Sequence, residues 1–399
     1  MGYEYVTMEL LKHHVDSMTE SQEQVPETWS TVSISERWQD VVSEIRDEYL
    51  DETQCYPWVI GFSGGKDSTV VAHGVFEALL TIPPSRRKRS IHIVSNDTMV
   101  ESPLVMAHLD DVTERIERAA RNLDLPITVA RTKPEVDKTF WVLLIGKGYP
   151  SPNMTMRWCT DRLKIQPTSA YIKKHISDYG AAVVVLGVRR DESQTRQRSI
   201  DKRRNMRGSN LTPHSDLQGA FVYRPIVDLT TDDVWEILGA FHAPWGGNHA
   251  SLIQLYRDAE GGECPVVLSK NEAPGCGTSN SRFGCWTCTV VEKDKSLQGF
   301  IDAGKHHFKP LVDFRDWLKK IRNNPEMRRA YRRNGRVSFD STGKQIPGPF
   351  TIQARKQILD YLLQVQEEYG ERLITEAEID LIYQHWSAEL QQEKGLGDE

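Results

Sequence analysis

Six consecutive residues carry the clearest chemical pattern in this 399-residue chain: Ser63-Gly64-Gly65-Lys66-Asp67-Ser68. Two glycines let the backbone come close to a ligand and present its N–H groups. A helix starting here would aim its positive end at the same spot, and such a spot favours phosphate. Ser63 and Ser68 add hydroxyl donors, Lys66 a cation, and Asp67 a magnesium ligand beside polyphosphate. The Walker loop does not fit, because Ile60 stands where its first glycine belongs and Asp67 follows the lysine. Gly61-Phe62-Ser63-Gly64-Gly65 does fit the G-x-S-x-G nucleophile elbow. That reading makes Ser63 a nucleophile and leaves Lys66 and Asp67 without a task.

Cysteines supply the second pattern. Cys264, Cys276, Cys285 and Cys288 crowd together, the last two as Cys-x-x-Cys, while Cys55 and Cys159 stand apart. Thiolates at this spacing suit zinc or an iron–sulfur cluster, and Cys285 with Cys288 also suits a reactive dithiol. Local spacing alone favours structural zinc. Cys55, just ahead of an apolar run, reads as a core thiol.

The elements that position these groups alternate between strand and helix. Short apolar runs at Pro57–Phe62, Ile91–Ser95, Ile127–Arg131, Ala181–Gly187 and Val222–Val227 read as strands. Helical spacing covers Ser68–Leu80, about 103–123, about 167–179 and Thr230–Phe241. That order predicts an α/β fold whose parallel sheet is covered on both faces. Trp38, Val41, Val42, Ile45 and Tyr49 mark an N-terminal helix laid on the core. Arg189–Arg207 reads as a ligand-ordered loop, and 242–290 shows so little periodicity that something other than a hydrophobic core must hold it. Beyond about 297 the pattern is helical, broken near Pro347-Gly348-Pro349. The divisions are an N-terminal helical segment (1–50), a nucleotide domain (51–241), a cysteine-rich segment (242–296) and a helical C-terminal region (297–399).

The net charge of −6 excludes a uniformly basic nucleic-acid coat, and the 39% hydrophobic content excludes wholesale disorder. No apolar run is long enough for a membrane helix, and the N-terminus lacks signal-peptide order. The expectation is a cytoplasmic protein with no membrane partner.

Ser-Gly-Gly-Lys-Asp-Ser after a first strand resembles the PP-loop of N-type ATP pyrophosphatases. The resemblance implies that ATP is cleaved between its α and β phosphates, giving an adenylated intermediate and pyrophosphate. Further residues resemble the phosphoadenylylsulfate reductase branch of that superfamily. They are Asp97 in Ser95-Asn96-Asp97-Thr98, the segment Arg157–Lys164 with Cys159 and Lys164, and Gly187-Val188-Arg189-Arg190-Asp191-Glu192-Ser193. By that likeness Ser63 to Ser68, Asp97, Lys164 and Gly187 bind the nucleotide, while Lys66, Asp67, Arg189 and Arg190 assist catalysis. A [4Fe–4S] cluster on Cys159, Cys276, Cys285 and Cys288 is likewise implied, with Cys264 as rival ligand or persulfide thiol. Trp158 stands where those reductases carry a second adjacent cysteine.

A narrower resemblance joins Thr139–Pro150, Arg157–Thr160, Pro244–Gly247, Ser281–Lys295 and Phe314–Leu318. These stretches are similar to the DndC-type sulfurtransferases of bacterial DNA phosphorothioation systems. That family is implied to help replace a non-bridging DNA phosphate oxygen by sulfur, using ATP, Mg²⁺ and an iron–sulfur cluster. Its implied companions are a cysteine desulfurase as sulfur donor, other proteins of the DNA modification system, and DNA. Arg315–Arg336 holds nine Arg/Lys against two acids, a pattern suited to a phosphate backbone. The competing readings are a sulfonucleotide reductase and a non-catalytic, zinc-bearing DNA-binding subunit.

Overall fold

In the computed structural model, residues 33–53, 55–192, 210–259, 261–262, 281–332 and 334–395 are described. Residues 1–32, most of the Arg-rich stretch after Glu192, and both Cys264 and Cys276 lie outside them.

Helix α1 (Ile34–Leu50) opens with a capping box, in which Ser33 and Glu36 satisfy each other's backbone N–H groups. It buries Trp38, Ile45 and Tyr49 on the core, the face that the helical spacing marks. Strands β1 (Trp58–Gly61), β2 (Ile91–Asn96), β3 (Ile127–Thr132) and β4 (Ala182–Val185) follow, then β5 (Thr212–Pro213) and β6 (Ala220–Tyr223). They form one sheet in the order β3-β2-β1-β4-β6-β5, parallel except for β5. Ile60 pairs with Ile93 on one side and Val185 on the other.

All four residues of β1 are buried, as a strand covered on both faces requires. Trp58 and Ile60 enter the larger apolar core, with α2 (Lys66–Thr81) and α3 (Pro103–Asn122). Val59 enters a smaller core with Val94, Val184 and Ile172 of α4 (Gln166–Tyr179). Each buried aliphatic side chain contributes at most roughly 1.5–3 kcal/mol before chain entropy is counted.

Three expectations are corrected. Strand β6 ends at Tyr223, not at 227, because Pro225 has no N–H for the ladder and the chain turns there. The stretch 242–290 contains helix α6 (Ala250–Ala259), and apolar packing does hold its described part. Trp245, Leu252, Tyr256, Phe283 and Trp286 all join the larger core. Cys55 is exposed, not a core thiol, because the turn carrying it runs over the surface before β1 begins.

Helix α5 (Thr231–Ala240) carries its own capping box at Thr230, and α7 (Lys295–Asp302) and α8 (Lys309–Ile321) begin the C-terminal region. Helices α9 (Ile352–Tyr369) and α10 (Glu376–Gly395) complete it. They dock on a π-helical turn, Val142–Gly146, whose geometry disrupts the usual pairing of backbone carbonyls. Trp386 donates to Ile145 O at 2.9 Å and Arg355 to Gly146 O at 2.8 Å. No described helix is long and apolar enough to cross a membrane.

Candidate functional site

Strand β1 lies between β2 and β4, and the chain winds outward from it in both directions. Loops at the carboxyl ends of β1 and β4 therefore face each other across the sheet's switch point, where open α/β folds bind ligands. The first of these loops is Ser63–Gly65 and the second begins at Gly187.

Gly64 takes a left-handed φ of +76°, which makes the tight turn into α2. Ser63 N–H donates to Ser68 Oγ at 3.2 Å, and Ser68 O–H donates to Gly65 O at 3.0 Å. The two hydroxyl oxygens lie 3.1 Å apart. Both serines thus hold the turn closed, and their hydroxyls are engaged within it. Gly65 N–H meets Ser63 Oγ at 3.4 Å and Lys66 N–H meets Tyr256 OH at 3.3 Å. These bonds are longer than the optimum near 2.9–3.0 Å. They are weak local substitutes that phosphate oxygens can replace.

Lys66 and Asp67 lie in the first turn of α2, where a positive helix end meets them. Lys66 Nζ sits 2.7 Å from one Asp67 carboxylate oxygen, and Arg189 Nε binds the other. Arg189 is only 2% exposed and also donates to Thr231 Oγ1 at 3.1 Å. The structure therefore turns Arg189 inward, onto Asp67. Each oxygen is thus held by one cation, so Asp67 anchors Lys66 and Arg189. Arg190 points elsewhere and pairs with Asp228.

Gly187 is required by contact. A Cβ there would lie 2.8 Å from the carbonyl carbon and oxygen of Asp67 and 3.0 Å from Ser68 N. Asp191 accepts from Thr231 N–H at 3.0 Å and so covers the start of α5. Asp97, at the end of β2, accepts from Met99 N–H at 2.8 Å and pairs with Lys133 at 3.1 Å.

The thiols converge beside the same sheet edge. Ser102 N–H donates to Gly284 O at 3.2 Å and Trp286 N–H to Val100 O at 3.0 Å, so the knuckle runs against the segment after β2. Thr98 Oγ1 lies 3.4 Å from Cys285 Sγ. Cys159 lies immediately before a second π-helical turn, Thr160–Ile165. Lys164 pairs with Glu101 at 3.1 Å, which places it with the thiols. Burial pushes the Cys159 thiol up to about 11, helped by Cys288. Burial raises Cys285 as well, with the Glu101 carboxylate adding to it. Burial thus moves Cys159 and Cys285 away from the lowered thiol range that a reactive dithiol uses.

Three soft donors on two segments suit a thiolate-bound metal or cluster. Among the described residues, no three Cys, His, Asp or Glu side chains are already close enough to hold a metal ion. Arg315 fixes this corner from behind. It is fully buried in α8 and donates to Cys288 O at 2.7 Å, Glu292 O at 3.0 Å and Val291 O.

Sequence reasoning missed Tyr256, His108 and Arg315. Tyr256 is separated from Lys66 by 190 residues, so no local spacing links them. His108 packs on Gly64 and hydrogen-bonds its backbone. Arg315 is indistinguishable in the sequence from the rest of a basic run.

A curated relative, an uncharacterized protein of Methanocaldococcus jannaschii, is 26% identical over 275 residues, covering 66% of this chain and 55% of that protein. The chain thus spans about half the length of the relative it matches. Phosphoadenylyl-sulfate reductase of Candida auris is 11% identical, covering 63% of this chain and 95% of its own, with a TM-score of 0.33. The U34-tRNA thiolase NcsA of Methanococcus maripaludis, solved with its [4Fe–4S] cluster, is also 11% identical, covering 72% and 79% with a TM-score of 0.32. The NH3-dependent NAD synthetase of Campylobacter jejuni is 11% identical, covering 73% and 97% with a TM-score of 0.35. Residues 57–291, more than half of the chain and the stretch holding both the Ser63 turn and the cysteine knuckle, match the phosphoadenosine phosphosulfate reductase domain, and the chain belongs to that family.

Proposed function

We propose that the protein is an ATP pyrophosphatase and sulfurtransferase that activates a DNA backbone phosphate for replacement of a non-bridging oxygen by sulfur. One observation carries the reading: the Ser63–Ser68 turn and the thiols of Cys159, Cys285 and Cys288 belong to the same carboxyl edge of the sheet. A turn suited to phosphate and a corner of three thiols would thus serve one substrate from the same edge.

The chemistry requires that adjacency. A phosphate oxygen leaves poorly, so it must first be bonded to a better leaving group. Attack of that oxygen on the ATP α-phosphorus forms one P–O bond and breaks the bond to pyrophosphate. Sulfur then forms a bond to the DNA phosphorus as AMP departs. Lys66 and the N–H groups of Gly65 and Lys66 would stabilise charge on the departing pyrophosphate. Asp67 and Arg189 would keep Lys66 in place. Magnesium would arrive as the counter-ion of ATP. Cys159, Cys285 and Cys288, with Cys276 or Cys264, would hold an iron–sulfur cluster, which when bound supplies a place for sulfide-level sulfur. A cysteine desulfurase, which delivers sulfur as a persulfide, a thiol reductant that supplies the two electrons to release it at the sulfide level, and further proteins of the modification system are the expected partners.

The test is a balance of products from the protein with its sulfur-donating partner, a dithiol reductant, ATP and DNA. AMP and pyrophosphate in equal amounts, dependent on DNA, are expected. Sulfite release from phosphoadenylylsulfate with a reduced thiol would instead establish the reductase reading, which the family match favours. ADP as the only nucleotide product would exclude both.

A further inference from the structure

The basic run Arg315–Arg336 is not one surface. Helix α8 ends at Ile321, and Asn324-Pro325 turns the chain. Arg315 is buried, Arg322 donates to Pro152 O at 2.8 Å and Thr289 O at 3.0 Å, and Arg328 donates to Gly348 O at 2.6 Å. These cations fasten the fold internally. The later ones stand on a separate arm of the chain.

Residues 328–332 and 334–350 form the two arms of a hairpin. Arg329 N–H donates to Pro349 O at 2.8 Å and Gly348 N–H returns to Arg329 O at 2.7 Å. Its arms close so tightly that a Cβ at Gly348 would lie 1.7 Å from Tyr331 O. Nearer the tip, β9 (Ser338–Phe339) and β10 (Gln345–Ile346) pair antiparallel.

The hairpin carries large apolar side chains in water, Phe339 (62% exposed) and Val337 (50%) toward the tip and Tyr331 (44%) nearer the root. Between them stand Arg332, Arg336 and Lys344, the last two exposed. Arg332 Nε is buried without a hydrogen-bond partner. From 328 to 346 there are six Arg/Lys and one acid, Asp340, in a chain whose net charge is −6. Asp340 is already bound by Thr342 N–H, Thr342 Oγ1 and Lys344 N–H. An aromatic platform among cations is the chemistry that grips a polyanion with stackable rings.

The hairpin root joins the sulfur-binding corner. Phe350 N–H donates to Gly148 O at 2.8 Å, and Tyr149 packs edge-on against Trp158 at 5.6 Å. Trp158 is the neighbour of Cys159.

We propose that this hairpin is the DNA-holding element of the protein, with Arg332, Arg336 and Lys344 on the backbone phosphates and Phe339 and Tyr331 against unstacked bases. This rests on the proposed function for the choice of DNA as the polyanion. It assigns DNA contact to the hairpin and removes it from α8.

The test uses fluorescence anisotropy of the full chain with a fluorescein-labelled random-sequence duplex, its single strand, and an RNA of equal length. Reversing the charges in R332E/R336E/K344E is expected to weaken DNA binding at least about 10-fold and to flatten the salt slope by roughly 2.7, three lost phosphate contacts. Phe339→Ala is expected to weaken single-strand binding about 5-fold or more. Binding of a fluorescent ATP analogue should stay unchanged in both variants. Unaltered DNA affinity and slope would overturn the proposal, as would tighter binding of the RNA. Should the triple variant misfold, ultraviolet cross-linking of wild-type protein to the duplex decides: adducts within 328–346 support the proposal, and adducts only elsewhere refute it. ATP converted only to ADP, with hairpin-dependent DNA binding intact, would break the proposed reaction and leave this inference standing.

Discussion

The nucleotide turn and the cysteine corner share one edge of a sheet and are built by opposite means. Ser63 to Ser68 closes on itself through bonds spanning at most five residues, and the strand before it and the helix after it fix its position. The cysteine corner is held from a distance: Cys285 lies against Thr98, and Arg315 ties off the carbonyls of Cys288, Val291 and Glu292. Local geometry preorganises the first. The second depends on a buried cation that reaches it from the C-terminal region, so its integrity follows the stability of that region.

The largest effect expected from breaking this contrast is at Arg315. Arg315→Ala strips hydrogen bonds from buried carbonyls and should cost about 3–5 kcal/mol, read as a lower urea midpoint. Arg315→Lys should recover only part of it, because an ammonium cannot reproduce the planar fork. In both variants alkylation of Cys285 and Cys288 should accelerate. Unchanged alkylation would show that the corner stands without Arg315.

Gly187→Ala attacks the other region. The added methyl cannot fit against Asp67 and Ser68, so overpacking should cost about 1–3 kcal/mol. Nucleotide binding, measured by calorimetry, should weaken while the order of thiol alkylation stays as in the wild type. Asp67→Asn keeps the shape and removes the charge that holds Lys66 and Arg189. A loss of about 1.5–3 kcal/mol in transition-state stabilisation, roughly 10- to 150-fold in ATP cleavage, is expected.

In metal-free protein, exposed Cys55 should react with iodoacetamide before Cys159 and Cys285. The smallest effect concerns pH. Burial holds His249 down to about 3, and burial with His175 holds His92 down to about 4. The unfolded chain binds these protons near the ordinary value of 6.5, and the folded chain refuses them. Stability should therefore fall as pH drops from about 6.5 toward 4. His92→Gln should flatten that slope in denaturant titrations.

Much of the sheet was legible because its strands are continuous apolar runs such as Val183-Val184-Val185, buried on both faces. The Ser63 turn was legible because its partners lie within six residues. Helix α6 was missed although its buried Leu252, Tyr256 and Ala259 fall at i, i+4 and i+7, because this single ten-residue run is set in a Gly- and Cys-rich stretch. The split of the basic run was also invisible in the sequence. Arg315 and Arg336 have the same charge, and only the carbonyls around the first and the water around the second separate them.

The missing side chain at position 187 has a mechanical consequence. With no methyl group between them, the loops after the first and fourth strands touch backbone to backbone and must travel as a single rigid lip. Tyr256, whose phenol accepts from Lys66 N–H at 3.3 Å, rests on the same lip, so a phosphate oxygen that takes that N–H displaces it.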